Sequence, residues 1–112
     1  NSWIGEGVWI DNLAAIEIGS DVCISQDAYL CTGSHDWGSG SFDLVVAPIS
    51  VGNHAWLCAR SSLAPGAQVG EGAVIGFGSV ASGELASWCI YRGVPAVCIR
   101  ERVVRYSVSF SD

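Results

Sequence analysis

The chain has 112 residues, half of them apolar, which is enough for one small domain with a packed core and excludes a disordered composition. Its formal net charge of −6 argues against nucleic acid or an anionic membrane as a partner. No apolar run approaches the roughly 20 residues that a membrane-spanning helix needs, so we expect no membrane partner either.

An aliphatic residue recurs at every sixth position along most of the chain. The fifth residue of each six-residue unit is almost always small, and the second is often glycine, which adopts backbone angles that other residues avoid. Helical or simple strand periodicity does not produce this spacing, whereas coils of short strands joined by tight turns do. We therefore predict an all-β parallel helix of about five to six stacked coils. The aliphatic positions are Ile4, Ile10, Ile18, Ile24, Leu30, Val51, Leu57, Leu63, Val69, Ile75 and Ala81.

Two interruptions break this register. Extra residues between Ile10 and Ile18 predict a bulge or a longer corner. A long gap follows Leu30, and its middle is rich in Gly, Ser and Asp, which predicts a loop over residues 36–48 extruded from the coil. Function is expected on such a loop because the scaffold holds it in place.

The repeat decays after Ala81, and the end of the coil needs a cap. We predict a β-helix domain over residues 1–98 and a short C-terminal tail over 99–112, whose pattern fits either a helix or a strand. Four of the five arginines lie in the last 21 residues of the chain: Arg92, Arg100, Arg102 and Arg105. They either hold an anionic ligand or form an ordinary solvated surface.

The five cysteines and two histidines show no spacing typical of a metal site, so we expect no metal. The cysteine number is odd and no secretion signal is visible. We therefore expect reduced thiols in a cytoplasmic protein. The cysteines are Cys23, Cys31, Cys58, Cys89 and Cys98.

His35, at the root of the predicted loop, is the main candidate for catalysis. A neutral imidazole suits a general base near neutral pH, although on composition alone a structural loop histidine is the alternative. Asp36 either orients the imidazole, lines an acceptor pocket or caps a turn. Trp37 and Phe42 offer aromatic faces to a sugar ring, or else pack to hold the loop. His54 falls at an outward position and is expected at a surface corner.

The hexads, the stretch Cys31-Thr32-Gly33-Ser34-His35-Asp36 and the stretch Gly93-Val94-Pro95-Ala96 resemble the hexapeptide-repeat acyltransferases, most closely the colanic-acid-type and galactoside or maltose O-acetyltransferases. The resemblance implies a left-handed parallel β-helix that forms a homotrimer with active sites between subunits. It implies transfer of an acetyl group from acetyl-CoA to a sugar hydroxyl, with His35 as the base. The alternatives are N-acylation of an amino sugar, acylation of a hydroxyl-bearing drug, and a non-catalytic β-helix scaffold.

The same resemblance implies residues for each substrate. Asp11 and Asn12, in the first interruption, match the acceptor region, although Asp-Asn is also ordinary turn chemistry. Ala59 offers a backbone oxyanion donor, and Arg100 matches a contact to the nucleotide phosphates. The remaining coenzyme A positions are Trp56, Phe77 and Ser82.

Three of these matches are qualified. Trp56 matches a wall of the active-site cleft, but an interface or corner aromatic is an equal alternative. Phe77 replaces a small residue that usually faces the coenzyme. Val97 replaces a second cation, for which Arg92 or Arg102 could compensate.

Overall fold

The computed structural model describes residues 1–105, and within them every regular element is a β-strand. No helix in that range is long and apolar enough to cross a membrane. In chain order the strands are β1 (Trp3–Ile4), β2 (Trp9–Asp11), β3 (Ile16–Ile18), β4 (Cys23–Ile24), β5 (Tyr29–Cys31), β6 (Gly33–His35), β7 (Leu44–Val46), β8 (Ile49–Val51), β9 (Trp56–Leu57), β10 (Ser62–Leu63), β11 (Gln68–Val69), β12 (Val74–Ile75), β13 (Val80–Ala81), β14 (Glu84–Leu85), β15 (Cys89–Gly93) and β16 (Ala96–Glu101).

Three sheets form the sides of a prism, and each turn of the chain adds one strand to every sheet. Sheet A has the order β1-β4-β9-β12-β15-β16, sheet B has β2-β5-β10-β13, and sheet C has β3-β8-β11-β14. Within these three sheets all neighbours pair in parallel except β15 and β16, which are antiparallel. The aliphatic positions lie in register, as where Ile24 pairs with Leu57 and Leu57 with Ile75. This confirms the parallel β-helix predicted from the repeat.

The coil count predicted from the sequence is wrong. The described chain forms four complete coils, and β15 adds one strand before β16 turns back along it. The long gap after Leu30 contains the predicted extrusion, which takes the form of a separate hairpin of β6 and β7. The predicted domain boundary after residue 98 falls within β16 and stays a prediction, and the tail residues 106–112 lie outside the described residues.

The aliphatic positions point into one continuous core. Ile24, Leu30 and Leu57 have no exposed surface, and burial of each such side chain contributes about 1.5–3 kcal/mol. Ile4 and Ile10 are 50% and 38% exposed because the first coil has a stacked neighbour on one side only. The small fifth positions are buried at the corners, as at Ala28, Ala55, Ala67 and Ala73.

The expected reason for glycine at the second position is wrong. Gly52 and Gly70 do not have positive φ; instead the next coil passes too close for a side chain. A Cβ on Gly70 would lie 2.6 Å from the backbone nitrogen of Ser87. Positive φ occurs at the fourth position, where Gly72 has φ 67° and the non-glycine His54 has φ 63°.

Candidate active site

The hairpin of β6 and β7 carries His35 at an exposed position opposite Leu44. Nδ1 of the His35 ring lies 2.9 Å from the carbonyl oxygen of Phe42. A carbonyl only accepts, so Nδ1 must carry the proton, and in the neutral ring the lone pair is then on Nε2. The ring is therefore held in the tautomer in which Nε2 can accept a proton as a general base.

Asp36 contacts the turn and not the histidine ring. One oxygen of its carboxylate accepts a hydrogen bond from the backbone N–H of Gly38 at 2.9 Å. Among the alternatives that the sequence left open, these contacts are those of a turn cap. A contact between Asp36 and a substrate stays a prediction.

Trp37 and Phe42 are 86% and 61% exposed. Rings this exposed do not hold the loop down by packing within the chain, so they are available to a ligand or a partner. Sequence reasoning found the Phe42 ring but missed its carbonyl, the group that orients His35. No sequence signal marked it, because a phenylalanine with φ 49° is not predicted by residue preference.

The two interruptions of the repeat meet at one corner of the prism, between sheets B and C. The bulge of residues 12–15 and the root of the hairpin lie on neighbouring coils there. The buried Thr32 hydroxyl donates to the carbonyl of Asp11 at 2.7 Å and accepts from the N–H of Ala14 at 3.0 Å. The structure therefore places Asp11 and Asn12 on the same corner as the hairpin that carries His35.

A second corner, between sheets A and B, contains three of the predicted coenzyme positions. Ala59 and Phe77 lie on successive coils there, and the Ala59 carbonyl accepts from the N–H of Gly78 at 3.1 Å. The Ala59 N–H has no hydrogen-bond partner within residues 1–105, so it is free to donate to a ligand. Trp56 reaches the same corner, since its Nε1 donates to the hydroxyl of Ser25 at 2.9 Å.

The other predicted coenzyme residues lie elsewhere. Ser82 is exposed at the corner between sheets B and C in the fourth coil, and Arg100 lies on β16 opposite Ile90. The structure does not bring either to Ala59 within one chain. Whether the two contact a ligand stays a prediction.

Arg102 has a structural role that the sequence did not indicate. Its Nη1 donates to the carbonyls of His54 at 2.8 Å and Gly72 at 3.0 Å, and its guanidinium lies 5.6 Å from the centre of the Trp88 ring. These contacts fasten the chain after β16 to the corner between sheets C and A. Whether Arg102 also compensates for Val97 stays a prediction. His54 is exposed at this corner, as predicted.

Cys58 precedes Ala59 and is half-buried. Burial, and secondarily the nearby Cys23, raises the pKa of its thiol to about 11. The thiol therefore remains protonated and poorly nucleophilic at neutral pH. Within residues 1–105, no group of three or more His, Cys, Asp or Glu side chains is arranged to hold a metal ion.

No protein-family model matches the chain. Among curated proteins it is 43% identical, over 102 residues, to a protein named as a colanic acid biosynthesis acetyltransferase, WcaF, of Escherichia coli K12. That alignment covers 91% of this chain and 56% of the relative, so the chain spans little more than half the relative's length.

Solved structures match the whole prism. AntD, an N-acyltransferase from Bacillus cereus solved with dTDP and coenzyme A, superposes with a TM-score of 0.85 at 21% identity, over 93% of this chain and 62% of that one. A maltose O-acetyltransferase from Clostridium difficile 630 superposes with a TM-score of 0.77 at 21% identity, over 92% and 60% of the two chains. These matches confirm the left-handed parallel β-helix.

Proposed function

We propose that the chain is a hexapeptide-repeat acyltransferase with a left-handed β-helix, and that it transfers an acetyl group from acetyl-CoA to a hydroxyl of a saccharide acceptor. The observation that carries the proposal is the hydrogen bond from His35 Nδ1 to the Phe42 carbonyl. It leaves Nε2 free to take a proton from an acceptor at the corner that also contains Asp11 and Asn12.

The proposed reaction is a single acyl transfer. His35 Nε2 takes the proton of the acceptor hydroxyl while its oxygen attacks the thioester carbonyl. The free N–H of Ala59 donates to the oxyanion of the tetrahedral intermediate. The carbon–sulfur bond then breaks, the coenzyme A sulfur takes the proton from the His35 imidazolium, and the acetyl ester is released.

A single chain does not assemble this site, because His35 and Ala59 lie at different corners of the prism. The hairpin of His35 follows β5 at the corner between sheets B and C, whereas Ala59 precedes β10 at the corner between sheets A and B. A strand with its turns spans roughly 15–20 Å at about 3.3 Å per residue, too far for one reaction centre. A second copy must therefore bring its own corner between sheets A and B to the hairpin. A cytoplasmic homotrimer with sites between subunits is the assembly that we propose.

Exposed apolar surface supports this assembly. Leu44, Val45 and Val46 on β7 are 57%, 48% and 44% exposed, although alternate side chains of a strand point to opposite faces. A hairpin that is apolar on both faces requires cover by another surface. In the trimer the neighbouring subunit provides it.

Coenzyme A is proposed to lie along the corner between sheets A and B. Trp56 and the 68% exposed Phe77 provide apolar surface there, and Ala59 provides the backbone donor. Ser82 and Arg100 are proposed to contact the nucleotide end from a neighbouring face of the assembly.

The experiment adds acetyl-CoA and a panel of saccharides and follows release of free thiol, with an enzyme-only blank for the five protein cysteines. His35→Ala is expected to lose activity, and His54→Ala, the only other histidine variant possible, is expected to retain it. An ester product is cleaved by mild base, whereas the amide expected of an N-acyltransferase is not. Absence of coenzyme A binding by calorimetry would leave only the scaffold alternative.

A further inference from the structure

Phe42 has an unusual backbone conformation at the tip of the hairpin. Its φ of 49° lies in the left-handed region, which a bulky side chain rarely adopts. Such a residue persists only where surrounding contacts hold it, and it is often found at functional sites. Here the same residue supplies the carbonyl that accepts the hydrogen bond from His35 Nδ1.

The contacts around Phe42 come from two residues of the turn, Ser39 and Asp43. One carboxylate oxygen accepts from the Ser41 hydroxyl at 2.7 Å, and the other accepts from the Ser39 hydroxyl at 3.3 Å. The Phe42 N–H donates to the Ser39 carbonyl at 3.1 Å, and the Asp43 carbonyl accepts from the Asp36 N–H at 2.9 Å. The peptide between Phe42 and Asp43 is therefore fixed on both sides.

We propose that Asp43 is a positioning residue for His35. Its carboxylate holds the two serine hydroxyls, these fix the turn, and the turn aims the Phe42 carbonyl at Nδ1. The histidine is thereby kept in the tautomer whose Nε2 is unprotonated. The inference rests on the proposed role of His35 as the base, and Asp43 itself contacts neither substrate.

The test uses Asp43→Asn, which preserves size and removes one of the two acceptor oxygens. Ring ¹⁵N spectra of histidine-labelled protein report the tautomer directly, and His35→Ala assigns the signal because the chain has only two histidines. We expect the Nδ1–H tautomer to predominate in the parent protein and a mixture of tautomers in the variant. We expect kcat to fall about tenfold, with KM for acetyl-CoA changed less than about twofold.

Two further variants separate positioning from general effects. Ser41→Ala keeps the charge of Asp43 and removes its shortest hydrogen bond. We therefore expect it to lower the population of the Nδ1–H tautomer of His35, but by less than Asp43→Asn does. Glu17→Gln removes an exposed carboxylate from sheet C and is expected to leave both readouts unchanged.

The tautomer decides between the outcomes. An unchanged Nδ1–H tautomer in folded Asp43→Asn and Ser41→Ala overturns the positioning role, even if activity falls. A shifted tautomer in a protein whose parent form transfers no acetyl group supports the positioning role and refutes the acyltransferase proposal.

Discussion

Replacement of Ser61 by alanine is expected to raise the free energy of unfolding. Ser61 is 1% exposed, and its hydroxyl has no hydrogen-bond partner within residues 1–105. A buried polar group without a partner costs about 1–3 kcal/mol, and alanine removes that group while keeping the Cβ that fills the corner. We therefore expect a gain of about 1 kcal/mol, because removal of the oxygen atom also removes its van der Waals attraction to the surrounding atoms and so offsets part of the benefit.

Ser79 is the matched comparison because it occupies the same corner one coil further on and is equally buried. Its hydroxyl accepts from the backbone N–H of Gly93 at 2.9 Å. Ser79→Ala leaves that N–H without its partner and is expected to cost about 1–2 kcal/mol. The two substitutions are chemically identical, so their opposite signs isolate the hydrogen bond.

Urea unfolding of the full chain, at one fixed protein concentration, measures both values. The fixed concentration matters because assembly adds to apparent stability. An equal loss of stability in Ser61→Ala and Ser79→Ala would refute the reasoning, since it would mean that the Ser61 hydroxyl is satisfied.

Two other predictions concern the backbone of the corners and a thiol. Gly72→Ala is expected to lower the free energy of unfolding by more than about 3 kcal/mol, because the new Cβ has a left-handed φ and also clashes with the Trp88 ring. Gly78→Ala has the same φ with open space around it, so urea unfolding should show a loss of only about 1–2 kcal/mol. Equal losses for the two variants would show that the Trp88 indole moves aside. Alkylation of Cys58, followed by peptide mass spectrometry with exposed Cys98 as an internal comparison, is expected to reach half its maximal rate near pH 11, the raised pKa. The folded state then holds this proton more tightly than the unfolded state, so the contribution of Cys58 to stability is complete below pH 9 and falls as the pH rises toward 11. Half-maximal alkylation near pH 9 would contradict the burial of the thiol.

The fold could be predicted from the sequence because its repeat is a local rule applied many times. A residue such as Leu57 meets the same neighbours in the coils above and below, so one period determines its burial. The role of the second-position glycines could not be predicted in this way. The clash that excludes a side chain at Gly70 comes from Ser87 in the next coil, and no local preference encodes it.

The candidate site was predictable only in part. His35 stood out because it lies at the root of the second interruption, but the stacking of its hairpin on the bulge after Asp11 depends on which corner each interruption occupies. That requires the coil register in three dimensions, including the contact through Thr32. The structural role of Arg102 was not predictable because its partners, the carbonyls of His54 and Gly72, carry no side-chain signal.

The most direct test of the account is the rate of acetyl-ester formation by His35→Ala under conditions in which calorimetry shows unchanged coenzyme A affinity. General base catalysis contributes about 10²–10⁴ in rate, so the variant is expected to fall by at least about a hundredfold for every saccharide that the parent protein acetylates. Loss of less than about tenfold, with the coenzyme bound, would contradict the central claim that His35 takes the proton of the acceptor.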